Sequence, residues 1–188
     1  MSTPFLTFRC KGCDYCQTSF VAVGRFVWVH DSKLFNFYPK IGVCSDCTEI
    51  VAIEGIPDPA VFKRAQALHP SLKGNISVVL KNEPAKWLAY QEHFDLLEQI
   101  MMQERSPVCL KCGGVNHQEI KFPEVREGER LTDITETPLG IIHPVCGGEL
   151  YVVGSGCMRL GVTPKTHYFD LRGKYLTTLH GRDGHISF

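Results

Sequence analysis

Two short segments constrain this chain more than any other: Cys109-Leu-Lys-Cys112-Gly113-Gly114 and His143-Pro-Val-Cys146-Gly147-Gly148. Each sets two metal-ligating residues three positions apart and follows them at once with glycine. A tight backbone turn lets both ligands of such a hook reach one ion. The residue after the second ligand then needs a positive φ, which glycine adopts without steric cost. Two hooks supply the four thiolate or imidazole ligands that a tetrahedral structural zinc requires. Pro144 suits its hook because it fixes φ and carries no N–H. His143 is the single nitrogen ligand, and its other ring nitrogen is expected to find an acceptor. With all four positions filled by protein, no place is left for a reactive water, so the site reads as structural.

The amino-terminal region repeats the arrangement with Cys10-Lys-Gly-Cys13-Asp-Tyr-Cys16 and Cys44-Ser-Asp-Cys47. Three cysteines compete for two places in the first of these. Cys10 and Cys13 are favoured because Asp14 tolerates left-handed geometry better than the Gln17 that would follow Cys16. Cys16 is then a spare buried thiol, with a ligand swap as the alternative. Taken in chain order, the hooks give one site from Cys10, Cys13, Cys44 and Cys47, and another from Cys109, Cys112, His143 and Cys146. Each ion would contribute about 10 kcal/mol or more to folding, as in metal-binding peptides.

The run Phe8-Arg-Cys-Lys-Gly-Cys-Asp-Tyr15 resembles the knuckle of rubredoxin-like and zinc-ribbon proteins, with Asp14 in place of the usual glycine. The order of knuckle unit, connector and Cys-x-x-Cys/His-Pro-x-Cys-Gly-Gly unit is similar to that of uncharacterised bacterial proteins with two zinc ribbons. That resemblance implies a fold and a metal, and no activity. Four-cysteine sites also bind iron. A histidine in the paired site favours zinc at both, two ions per chain, with iron at the amino-terminal site as the alternative.

Nine cysteines would suit a secreted disulfide framework, but their pairing in hooks and their odd number favour metal thiolates in a reducing cytoplasm. The first residues lack the basic and apolar regions of a signal peptide. No run approaches the roughly 18 apolar residues of a membrane helix. Twenty basic residues balance twenty acidic ones, so no global field attracts polyanions.

Three segments follow from the patterning: residues 1–56 and 107–188 as small zinc-ribbon-like antiparallel β units, and 57–106 as a helical connector. The expected fold is therefore α+β. In the first unit, Phe20–Val23 and Phe26–His30 read as a hairpin about Gly24-Arg25, with another turn at Asp31-Ser32-Lys33. In the connector, Asp58-Pro59 and Asn82-Glu83-Pro84 each open a helix. The second helix carries Trp87, Tyr90, Phe94, Leu97 and Met101 on one face. In the last unit, Phe122–Arg130 reads as a solvated charged loop. Glu149–Val153 and Cys157–Leu160 form one hairpin about Gly154–Gly156, Thr166–Asp170 and Tyr175–Leu179 another, and residues 181–188 fray.

Cys157 is the one candidate nucleophile outside the hooks, with His167 or His180 as its base. Nothing local sets up such a pair, and a buried strand cysteine is the commoner case. No phosphate loop, dinucleotide fingerprint or HExxH motif is present. The expected function is thus a non-enzymatic zinc protein that binds another protein as an adaptor. The alternatives are a nucleic-acid-binding zinc ribbon, which the charge balance does not support, and a rubredoxin-like electron carrier. No membrane association is expected.

Overall fold

A computed structural model of the chain describes residues 2–64, 67, 84–122, 135–159 and 165–180. β structure dominates these residues, in place of the expected α+β pair of ribbons. The described residues contain eleven strands: β1 (Ser2–Cys10), β2 (Cys16–Thr18), β3 (Arg25–His30), β4 (Lys33–Phe37), β5 (Lys40–Cys44), β6 (Glu49–Ile53), β7 (His117–Glu119), β8 (Thr137–Ile142), β9 (Glu149–Arg159), β10 (Lys165–Phe169) and β11 (Tyr175–His180). They form three sheets, ordered β2-β1-β9-β8, β11-β10-β3-β4 and β6-β5-β7. Every sheet mixes strands from before residue 54 with strands from after residue 107. Two self-contained ribbons in tandem are therefore not what the chain builds. The β structure is one compact unit, Met1–Glu54 with Pro107–Phe188, and Gly55–Ser106 is a second.

The first and third sheets share a core of Leu6, Phe8, Val43, Ile50, Ile120, Ile141, Leu150 and Val152. Alternation along β1 turns Leu6, Phe8 and Cys10 toward this core. The run Ile50-Val51-Ala52-Ile53 has no alternation because β6 is buried on both faces. Ile50 faces the core just named, whereas Val51 and Ile53 pack with Cys44 and Cys109. Phe122 packs on the first core, its ring 6.2 Å from that of Phe8, so the start of the expected solvated loop is apolar anchorage. The rest of that loop, residues 123–130, lies outside the described residues, as do residues 181–188.

Two expected hairpins are replaced. Residues Ser19–Ala22 form a 3-10 turn instead of a strand, and β3 pairs with β4 across a two-residue turn. Asp31 and Ser32 there have φ of 48° and 62°, the pattern of the tight turn that matches strand twist. On its other edge β3 pairs in parallel with β10. Glu149–Arg159 is one continuous strand that runs through Gly154 and Gly156, because β1 accompanies it over most of its length. The β10–β11 hairpin forms as expected, about a turn with Gly173 at φ 76°.

In the second unit, helix α1 covers residues 59–64, and helix α2 runs Pro84–Met102. Asp58 caps α1, its Oδ1 accepting the N–H of Ala60 at 2.8 Å. The remainder of that helix and the polar stretch 71–82 lie outside the described residues. On α2 the most buried side chains are Leu96 and Ile100, one position off the expected stripe, while Tyr90, Phe94, Leu97 and Met101 are half-buried. Phe94 stacks on Phe62 at 5.4 Å. The side chain of Trp87 lies outside the described residues.

Candidate metal centres

Three of the hooks are turns between paired strands and the fourth leads into a strand, so the sheets decide which hooks meet. The hook Cys10–Cys13 joins β1 to β2, and His143–Cys146 joins β8 to β9. Since β1 pairs with β9, these two turns sit at the same end of one sheet. The hook Cys44–Cys47 joins β5 to β6, and Cys109–Cys112 precedes β7, which pairs with β5. The outcome is two groups of four: Cys10, Cys13, His143 and Cys146 in one, Cys44, Cys47, Cys109 and Cys112 in the other. Within each group the candidate ligand atoms all lie within 4.8 Å of one another. All eight expected residues are brought together, but the pairing is nested, first hook with fourth and second with third. Chain-order grouping fails because strand pairing, not proximity in sequence, sets the partners.

The two glycine-bearing hooks are built alike. In one, Gly113 N–H donates to the Cys109 carbonyl, Cys109 N–H to the Gly114 carbonyl, and Gly114 N–H to Cys112 Sγ. In the other, Gly147, His143 and Gly148 make the same bonds to His143, Gly148 and Cys146 Sγ. Gly113 and Gly147 have φ of 76° and 72°, as their places require. The hook at Cys44 meets the same demand with Thr48 at φ 57°. The hook at Cys10 does not use it: Asp14 is absent from the positive-φ residues, and Gly12 N–H turns in to Cys10 Sγ at 3.3 Å. Cys16 is exposed in β2, opposite Arg9, and stands outside both groups, so it is not the buried spare thiol expected.

The all-cysteine group has Sγ–Sγ separations of 3.7 Å (Cys44–Cys112) and 3.8 Å (Cys47–Cys109). A tetrahedral ion with metal–sulfur bonds of about 2.3 Å requires edges of about 3.8 Å. The mixed group is tighter: Cys10–Cys146 is 3.3 Å, Cys13–Cys146 3.4 Å, and His143 Nδ1 lies 3.4 Å from Cys13 and 3.2 Å from Cys146. All eight residues fit a soft or borderline metal in fours, and none of the seven cysteines among them is in a disulfide. Nδ1 is the imidazole atom turned into the group. Nε2 is buried and has no hydrogen-bond partner, so the expected acceptor is missing. In its place the Tyr15 ring lies over the imidazole, 4.4 Å between centres.

The thiols differ in acidity for local reasons. The Gly148 N–H, with His143 and the neighbouring thiols, lowers Cys146 from 9.0 to about 6. Cys112 is also lowered: some desolvation opposes it, but the Gly114 N–H and adjacent sulfurs prevail. Burial raises Cys109 to about 11 and raises Cys47 still further. At Cys13 a backbone hydrogen bond at Tyr15 pulls down, yet the sulfurs of Cys146 and Cys10 carry the thiol up to about 11. Within each group one thiol is shifted down and others up, because neighbouring sulfurs that share a small volume oppose a second negative charge.

Residues outside the ligand pattern hold the hooks together. Asp46 accepts a hydrogen bond from Asn116 at 3.0 Å, and Ser45 N–H reaches the Asn116 carbonyl at 2.8 Å. Lys11 N–H donates to the Glu149 carbonyl at 3.0 Å. Tyr15 also receives the Ile50 N–H on its hydroxyl at 3.0 Å, tying the mixed group to β6. None of these had a motif to announce it. Only the aromatic after the first hook was visible, as part of the knuckle run.

Cys157 lies in β9 opposite Pro4, in the first sheet. His167 belongs to β10 in another sheet, where its Nδ1 bonds Thr178 at 2.8 Å and its ring stacks on Phe26. Among the described residues no helix is long and apolar enough to cross a membrane. Comparison with protein-family models, with curated proteins and with solved structures gives no match.

Proposed function

We propose that both groups hold structural zinc, two ions per chain, and that the protein acts by binding rather than by catalysis or electron transfer. The observation that carries this reading is the closure of each group. Four protein ligands converge, the all-cysteine edges of 3.7 and 3.8 Å match a tetrahedral ion, and no ligand position is left for substrate or water. The histidine in the mixed group favours zinc over iron there, and the shared hook design extends that preference to the second group. Exposed Ile142, just before the His143 hook, and Val145 within it suit a protein partner.

Elemental analysis beside native mass spectrometry, on protein purified without added metal, tests the reading. Two zinc ions per chain are expected, and chelation should unfold the β unit. One zinc with one iron, in a coloured and redox-active protein, would replace it with an electron-transfer role. A folded metal-free protein would overturn it.

A further inference from the structure

Beside the all-cysteine group two cavities of about 370 Å³ each share Leu110, Lys111 and Tyr175 as walls. The first is apolar and aromatic, lined by Phe26, His167, Phe169 and Tyr175 from β3, β10 and β11. Phe26 and His167 stack at 5.0 Å with 28° between their planes, and Tyr175 is half exposed at the rim. The second cavity is basic: Lys111, Arg172 and Lys174 line it, with Gly113 and Gly173. Arg172 and Lys174 stand on one turn, fixed by Asp170 Oδ1, which accepts both of their backbone N–H groups at 2.8 and 2.9 Å. Neither side chain has an ion-pair partner among the described residues. Lys111 is bonded to Glu49, the one carboxylate in these walls.

We propose that this paired cleft binds a nucleotide, its base against the aromatic wall and its phosphate at Arg172 and Lys174. A planar ring is the ligand part that gains most from stacked aromatic faces. A compact anion is what two free cations on a preset turn recognise. Three cations and one carboxylate line these walls, with the Asp170 carboxylate behind the turn that carries two of the cations, while the whole chain is neutral, so the attraction is local. That suits one nucleotide unit better than a long polyanion, whose affinity needs many phosphate contacts. The cations have a competing use. A divalent ion held by four thiolates carries two net negative charges, and nearby lysine and arginine would offset them. The inference rests on the binding reading above, and the experiment separates the two.

The test is calorimetric titration of the full chain, its metal content measured first, with AMP, GMP, adenosine and inorganic phosphate. One of the two nucleotides should bind with a dissociation constant below about 1 mM. Adenosine and phosphate should each bind at least about tenfold more weakly, since each meets only half of the cleft. R172Q/K174Q should lose at least about tenfold in nucleotide affinity while keeping its metal. No binding up to about 10 mM, or unchanged affinity in that variant, would overturn the proposal. So would loss of metal from the variant with nucleotide affinity retained, which assigns the cations to the metal centre. Tyr175→Leu gives a second, uncharged probe with the same expected loss. A short oligodeoxythymidine decides the source: binding that R172Q/K174Q abolishes places the nucleotide in a single strand, and binding it leaves intact counts against the cleft. A metal content other than two zinc ions defeats the structural-zinc reading and leaves this comparison valid.

Discussion

Gly12 and Gly148 face each other across the mixed metal group so closely that a β-carbon on Gly148 would stand 2.6 Å from the Gly12 nitrogen and 2.7 Å from Cys10 Sγ. Backbone meets backbone there, and neither side can give way as a flexible side chain would. Gly148→Ala should therefore push the two hooks apart, costing about 1–3 kcal/mol by overpacking and lowering metal content from two ions to one. Gly113, at φ 76° with nothing near its missing β-carbon, makes the control. Gly113→Ala should cost about 1–2 kcal/mol from backbone strain alone and retain both ions. Metal analysis and thermal unfolding read the difference.

The nested pairing predicts which cysteines act together. C13S/C146S should be little worse than either single variant, because both remove ligands from one ion, whereas C13S/C47S should lose both ions. Cobalt substitution gives the readout, since thiolate-to-cobalt absorption should halve in the first double variant and vanish in the second. Chain-order pairing predicts the reverse, and that pattern of losses would refute the geometry.

Glu54 is fully buried, and its Oε1 accepts the indole N–H of Trp28 at 2.8 Å. Glu54→Leu should leave that donor without an acceptor and cost about 1–3 kcal/mol. Glu54→Gln keeps a carbonyl oxygen and should cost less. Denaturant unfolding followed by Trp28 fluorescence would rank the two variants.

In the helical unit, burial holds the pKa of His93 below its ordinary 6.5. The folded chain thus binds this proton more weakly than the unfolded chain. The associated stability is fully present above pH 6.5 and disappears as pH falls through the folded value. NMR should show the imidazole titrating late, and His93→Gln should flatten the acid limb of unfolding for this unit.

The eight residues that gather into the two groups were legible because metal-binding chemistry is local: two candidate ligands and a turn fit within six residues. Their pairing was not, because it depends on β1 meeting β9 and β5 meeting β7 across gaps of more than 70 residues in the chain. Short-range patterns also misjudged Phe20–Val23, whose apolar run forms a helical turn, and Gly154–Gly156, whose glycines lie within a paired strand instead of turning it. Asp31-Ser32 and Asp58-Pro59 were read correctly because turn and cap preferences act between near neighbours. The aromatic and basic cleft had no signature at all. Lys111, Arg172 and Lys174 are unremarkable in a neutral sequence and gain meaning only where the hook and the β10–β11 turn share a cavity.

Nested pairing also sets an order in time. Cys47 lies 62 residues before its partner Cys109, and Cys13 lies 130 before His143. At about 5–20 residues per second of synthesis, the first hook emerges roughly 6–26 s before its partner. Through that interval its thiols stand unmatched on the nascent chain, exposed to oxidation and to stray metals. The inner group can close while the outer one still waits. A metal taken up by the outer group would thus be the last one captured, and it would tie residues 10–13 to residues 143–146.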